Sequence, residues 1–378
     1  MGLEIVVPTD GRPVARVGSV APELVVVIPT LNERDNVEPL LALLDTALAD
    51  IAWEAVFVDD DSTDDTAAAL WAERRPNVRV LQRIGRRGLS TACVEGALAS
   101  AAPVIGIMDA DLQHDESILP AMLAKLRTGR FDVVVGSRYV AGGGTGEWAA
   151  NRVRMSSLAT RLGRMLCRTE IADPMSGFFL IERGAFLSAV RHLSGQGFKI
   201  LLDLLASAPQ PLRVAETPYV FRTRQHGESK LDSMVAWEFG VLLLDKTVGR
   251  VLPVRFVLFV AVGALGLLLH LAILRLTWSV PGVTFEGAQA VATAAAIGAN
   301  FWGNNVLTYR DKRLRGARFL RGLLSFYVIC GLGAVTNIGI ASYAFTHDRS
   351  WWVAGLAGAA LGSVWNYAVS SVYTWRRR

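Results

Sequence analysis

Cysteine and histidine are scarce in this chain. Its 378 residues hold three Cys and five His. Cys93, Cys167 and Cys330 show neither Cys-x-x-Cys nor zinc-ligand spacing. That excludes a disulfide framework and a structural zinc site, and fits reduced thiols facing a cytosol. Acidic residues are almost absent from the C-terminal third. From Arg250 onward, thirteen Lys and Arg stand against three acids, Glu286, Asp311 and Asp348. The totals of 39 and 34 leave 26 basic and 31 acidic residues before Arg250. The net charge of +5 therefore comes from the tail. This argues against a nucleic-acid partner and for a basic, membrane-anchoring region. Signal-peptide character is missing too: Met1 to Asp10 has no basic start and no long apolar run. Residues 1–22 are expected to form a loose arm.

What is present is mostly apolar. Hydrophobic residues make up 52% of the chain. A helix rises about 1.5 Å per residue, so roughly 20 apolar residues cross a bilayer core. Four such segments occur, at 255–276, 287–308, 320–345 and 351–374. Basic residues cluster between the second and third (Arg310 to Arg315) and at Arg376-Arg377-Arg378. The other two connections, Trp278 to Glu286 and Thr346 to Ser350, hold a single Arg between them. By the positive-inside rule, the N-terminal domain and both termini belong on the cytoplasmic side of the cell membrane. Trp278, Trp302, Trp351, Trp352 and Trp375 sit near span ends, where interface anchors are expected. Leu231 to Leu252 reads as amphipathic helices on the membrane surface, or else as a helix packed under the preceding domain. The expected organisation is thus an arm at 1–22, a soluble-type domain at 23–230, interfacial helices at 231–252 and a four-helix transmembrane domain at 253–378.

Residues 24–250 alternate strand and helix signals. Strands are expected at Leu24–Ile28, Ala55–Val58, Val78–Leu81, Val104–Met108 and Asp132–Val135. Helices are expected at Asn36–Leu48, Asp64–Arg74, with Ser62 or Thr63 as its cap, and Thr91–Ser100. This order predicts an α/β fold, a mostly parallel Rossmann-like sheet with helices on both faces.

The chemistry gathers at the strand ends, where open α/β sheets bind ligands. Asp109-Ala110-Asp111-Leu112-Gln113-His114 follows the fourth strand. Two carboxylates and an amide make an all-oxygen set suited to Mg2+ or Mn2+, which also take diphosphate oxygens. The first strand ends Pro29-Thr30-Leu31-Asn32-Glu33, with Glu33 placed to meet a donor ring or hydroxyl. The second ends Asp59-Asp60-Asp61, where a carboxylate commonly meets a base or ribose hydroxyl. Arg87 and Gly88 precede a helix and are placed to approach phosphate.

In this order and spacing these elements resemble the family 2 glycosyltransferases, and within them the dolichol-phosphate mannose synthases and their bacterial polyprenyl-phosphate relatives. The resemblance covers about 24–235. It continues in Gly136-Ser137-Arg138-Tyr139, Asp173-Pro174-Met175-Ser176-Gly177-Phe178-Phe179, Gly197-Phe198-Lys199-Ile200 and Phe221-Arg222-Thr223-Arg224 through Lys230. The tail resembles a GtrA-type membrane domain, including the asparagines Asn300, Asn304 and Asn305. The chain departs from the usual pattern at Asp65, Ser90, Asp115-Glu116, Asp203 and the residues after Asn305.

The resemblance implies a GT-A fold and inverting transfer of mannose from GDP-mannose to a polyprenyl or dolichyl phosphate. Asp109, Asp111 and Gln113 would hold the metal, with Asp111 and Arg138 central to catalysis. Arg138, Arg152 and Ser156 would bind the lipid phosphate. Arg224, Ser229 and Lys230 would close on the donor diphosphate or the acceptor. Three other functions compete with this one. They are a UDP-glucose-dependent glucosyltransferase, a lipid-sugar flippase with a regulatory nucleotide-binding domain, and a processive synthase, which would carry a QxxRW-type motif where Phe221–Lys230 stands. The membrane segments are compatible with a homo-oligomer, on which no residue decides.

Overall fold

In the computed structural model of the protein, residues 21–146, 150–193, 199–223, 233–248, 252–348 and 351–376 are described. The chain divides into two compact units, 1–247 and 248–378.

The first unit is built on seven strands: β1 (Leu24–Thr30), β2 (Trp53–Asp59), β3 (Val78–Gln82), β4 (Val104–Ile107), β5 (Val133–Ser137), β6 (Phe179–Glu182) and β7 (Val214–Pro218). Their order is β3-β2-β1-β4-β6-β5-β7. Strand β6 runs antiparallel to both of its neighbours, and the other pairings are parallel. The expected mostly parallel sheet is therefore present. Strands β6 and β7 add to the five read from the sequence.

Among the described residues this unit holds the helices α1 (Val37–Ala47), α2 (Thr66–Ala72), α3 (Leu89–Leu98), α4 (Leu119–Arg127), α5 (Ala150–Leu166), α6 (Arg183–Val190), α7 (Ile200–Ser207) and α8 (Ser233–Thr247). Alternation along β1 explains the layering. Leu24, Val26 and Ile28 pack with Leu40, Leu41 and Leu44 of α1 and with Leu119, Met122 and Leu123 of α4. Val25 and Val27 face the opposite core, with Ala92, Cys93 and Ala97 of α3, Phe186 of α6 and Ile200, Leu201, Leu204 and Leu205 of α7. A strand buried on both faces in this way needs apolar residues at every position, as Leu24–Ile28 supplies. Successive strands step from β1 to β3 on one side and then return to β4 on the other. That places a topological switch point at the carboxyl ends of β1 and β4.

One local expectation is corrected. Neither Ser62 nor Thr63 caps α2. The helix starts at Thr66, whose N–H donates to Asp64 Oδ1 at 3.1 Å, after Asp65 takes a left-handed φ of +66°. Ser62 is used instead by Asp59 and by the backbone N–H of Asn32. Within the segment 231–252, α8 sets Leu242 against Met175 and Leu202. Its Lys246 pairs with the buried Asp203 at 2.6 Å. This Asp is one of the departures from the family pattern.

The second unit holds α9 (Val254–Trp278), α10 (Phe285–Gly303), α11 (Ala317–Asp348) and α12 (Trp351–Tyr373). Helix α9 is long and apolar enough to cross a membrane. It leaves Leu265, Leu267, Leu268, Leu271 and Leu276 exposed, a surface that water would not favour. Helix α10 ends in a wider π turn at Asn304–Thr308. There Asn305 accepts from the Leu314 N–H at 2.8 Å and from Trp375 Nε1 at 3.2 Å. Trp375 is fully buried, stacked on Tyr309 at 4.1 Å between ring centres. It is a core residue and not the interface anchor that its position near a span end implied. Trp278 and Trp302 are exposed.

Candidate active site

Two loops at the carboxyl ends of β1 and β2 pin each other. Pro29 is the penultimate residue of β1, paired with Val58. Thr30 Oγ1 donates to Asp59 Oδ1 at 3.4 Å. Asn32, at a φ of +55°, accepts from the Thr63 N–H at 2.9 Å through its side chain. The Glu33 N–H donates to Thr66 Oγ1 at 3.0 Å, and its carboxylate accepts from Asn36 at 2.7 Å. Asp59 accepts from the Ser62 N–H at 3.1 Å. Asp60 is buried and takes Arg83 Nη1 and the Gly88 N–H, both at 2.6 Å. Asp61 accepts from the Gly85 N–H at 3.2 Å. The three carboxylates thus shape the rim of the site. The buried Asp60 also fixes the turn that presents the exposed Arg87 ahead of α3. At Gly88 the φ is +148°, a value that side-chain-bearing residues rarely adopt.

The central loop follows β4. Asp109 is half-exposed, while Asp111, Gln113 and His114 are buried. Between Asp111 and Gln113, Leu112 holds a φ of +61° with its side chain in the core. A left-handed, non-glycine residue costs of order 1–3 kcal/mol, and such strain concentrates at functional sites. The Gln113 N–H donates to Asp111 Oδ1 at 3.2 Å, and Gln113 Nε2 donates to the Arg222 carbonyl at 3.0 Å. The Arg222 N–H returns a bond to the Gln113 carbonyl at 2.9 Å. Its guanidinium pairs with Asp115 and Glu116, each at 2.7 Å. Asp115 and Glu116, where the chain departs from the usual pattern, are therefore the partners of Arg222. Neither Arg222 nor this clamp had been singled out from sequence, because its partners lie more than a hundred residues away.

Arg138 follows β5. Its Nε and Nη2 donate to the two oxygens of Asp173 at 2.7 and 2.9 Å. Burial opposes the charge on Arg138, but the hydrogen bonds and charge of Asp173 outweigh it and hold the guanidinium firmly protonated. Asp173 is fully buried, and its own N–H donates to Glu216 at 3.0 Å. Because this pair is net neutral, Arg138 acts as an oriented donor more than as a source of attraction for anions. Its guanidinium lies 5.6 Å from the rings of both Tyr139 and Phe221. Tyr139 shares a 2.9 Å hydrogen bond with Ser156 of α5. Arg152 lies on the same helix one turn earlier, with a side chain outside the described residues, as are Arg224, Ser229 and Lys230. Lys199 Nζ donates to the Met175 carbonyl at 3.1 Å, close enough for its charge to act on His114.

Phe221 joins the two halves. It meets His114 edge-on at 5.8 Å and underlies Arg138 at 5.6 Å. The loop that ends at His114 and the guanidinium of Arg138 thus meet on one ring, Phe221. Among the described residues no three His, Cys, Asp or Glu form a complete metal cage. Two carboxylates plus an amide suit an ion that shares its coordination with diphosphate and water. The Gln113 amide nitrogen donates to the Arg222 carbonyl, so the oxygen is the amide atom that could meet a metal.

The class of protein is that of the glycosyltransferases. Residues 25–188 match the family model for glycosyl transferase family 2, and residues 258–375 match that for the GtrA/DPMS transmembrane domain. The dolichol-phosphate mannosyltransferase of Pyrococcus furiosus is 34% identical over 356 residues, 93% of this chain and 98% of that protein. Its counterpart in Mycosarcoma maydis is 38% identical over 255 residues, 64% of this chain and 85% of the relative. That of Saccharomyces cerevisiae is 35% identical over 228 residues, 57% and 84%. The chain belongs to the dolichol-phosphate mannosyltransferase branch of glycosyltransferase family 2. Among solved structures, glucosyl-3-phosphoglycerate synthase from Mycobacterium tuberculosis, with Mn2+, UDP and glucosyl-3-phosphoglycerate, aligns at 21% identity and a TM-score of 0.44. That alignment covers 60% of this chain and 80% of the other.

Proposed function

We propose that the protein transfers mannose from GDP-mannose to a polyprenyl or dolichyl phosphate, with inversion, at the cytoplasmic face of a membrane that it crosses several times. The observation that carries this is the joining, through Phe221, of the Asp109–Gln113 loop to the Arg138–Asp173 pair. One side suits a diphosphate donor and the other a phosphate monoester. The extent of the archaeal relative, matched over 98% of its length, supports the same acceptor class.

The acceptor brings its own nucleophile. A phosphate monoester has a second pKa near about 6 and is mostly dianionic at neutral pH. No general base is required, and His114 is not placed to be one. His114 is walled in by rings, and burial pushes its pKa down to about 4. The protein's tasks are to hold two anions together and to aim them. Asp109, Asp111 and the Gln113 oxygen would hold Mg2+ or Mn2+, which when bound supplies Lewis-acid stabilisation of the leaving diphosphate. Glu33, Asp61 and Arg87 line the donor side. Arg138, Ser156 and Arg152 serve the lipid phosphate, with Arg224 and Lys230 completing the site. Transfer should stop in EDTA and return with Mn2+ or Mg2+, read as label entering the organic phase. Transfer at full rate in EDTA would remove the metal from this account.

A further inference from the structure

Two groups crowd the Asp109 carboxylate. His114 is 2% exposed and fixed in a box of rings. It stacks on Phe178 at 5.1 Å and 13°, and Tyr219 and Phe221 meet it edge-on at 5.9 and 5.8 Å. The Asp109 main-chain N–H donates to His114 Nδ1 at 3.2 Å. With Nδ1 accepting, the proton of the neutral ring sits on Nε2. Nε2 faces Asp109 Oδ2 at 3.8 Å. From another side Gly177 closes in. A methyl group there would lie 2.9 Å from Asp109 Oδ2 and 3.5 Å from His114 Cε1.

We infer that His114 and Gly177 form a seat for the Asp109 carboxylate, His114 as a positioning residue whose Nε2–H aims it and Gly177 as the gap that admits it. The inference rests on the reading of Asp109 and Asp111 as metal ligands. A neutral N–H orients a carboxylate without cancelling its charge, whereas a cationic neighbour would compete with the metal. At 3.8 Å the N–H acts as an aimed dipole, beyond direct hydrogen-bond reach. Groups that orient a ligand in this way are typically worth roughly 10–100-fold in metal affinity. The sequence hides the device. His114 ends one motif and Gly177 lies within another 63 positions later, beside the Phe178 on which His114 stacks.

The test uses the full-length protein in detergent and the gain in GDP affinity when Mn2+ replaces EDTA, measured by calorimetry. His114→Phe keeps an aromatic ring in the box and removes both nitrogens. His114→Gln returns an N–H near the Nε2 position. Gly177→Ala pushes only the movable end of Asp109. The Mn2+-dependent gain should fall at least tenfold in His114→Phe and Gly177→Ala and recover in part in His114→Gln. The thermal midpoint of Gly177→Ala should stay at the wild-type value. If His114→Phe unfolds, Gly177→Ala decides alone. A wild-type gain in these variants, with Asp111→Ala showing none, would overturn the seat and leave the metal reading standing. A wild-type gain in Asp111→Ala, or no gain in the wild type, would overturn both.

Discussion

Arg138 and Asp173 are a buried, bidentate ion pair, and breaking it leaves a charge without water or partner. Asp173→Asn should destabilise the catalytic unit by about 3–5 kcal/mol. It should also cut transfer by loosening Arg138, which equilibrium unfolding and the lipid-linked assay would measure separately. Wild-type stability in this variant would show that the pair is not what holds Arg138. At this scale the sequence was informative about residue types and poor about partners. Asp109, Asp111 and Gln113 stood out because three oxygen ligands at alternate positions are unusual after an apolar strand. Asp173 lay within a quoted motif, but its role depends on an arginine 35 positions earlier. Arg222 was one basic residue in a basic run until Asp115 and Glu116 stood beside it.

Among the elements, α3 lies unusually close to the sheet. A Cβ on Gly96 would collide with the Val27 side chain of β1 and stand 2.9 Å from that of Val58 in β2. This close approach braces the turn of Arg87 and Gly88 against the strands that end in Thr30 and Asp59. Gly96→Val should cost about 1–3 kcal/mol through overpacking. A lowered midpoint of thermal inactivation would show it, and an unchanged midpoint would mean that α3 can slide outward freely. Strands β1, β2 and β4 were legible because an unbroken apolar run between turn signals suits a strand buried on both faces. Strand β6 was not, since Phe179–Glu182 is short and continues an apolar motif without a break. The start of α2 was misplaced because Ser62 and Thr63 have cap chemistry but are spent on the neighbouring loop.

The whole molecule couples a carboxylate-rimmed α/β unit to a helical unit with an apolar exterior. The charge asymmetry read from sequence predicts that the α10–α11 connection, with Arg313 and Arg315, faces the cytoplasm. A cysteine placed at Arg313 should react with an impermeant maleimide in inverted vesicles, and one at Gly282 only in right-side-out vesicles. The opposite pattern would invert the topology and put the catalytic unit on the wrong side for a cytoplasmic sugar nucleotide. The buried Trp375 shows the limit of such patterns, because an aromatic near a span end looks the same whether it anchors or packs. The central claim, transfer from a sugar nucleotide to a lipid phosphate at the Asp109–Gln113 loop, is tested most directly with the purified protein. It would be given polyprenyl phosphate, Mn2+ and labelled GDP-mannose or UDP-glucose, beside Asp111→Ala. The account predicts lipid-linked label from GDP-mannose alone, lost in the variant. Label from UDP-glucose alone would contradict the donor, and no lipid-linked label from either would contradict the transfer itself.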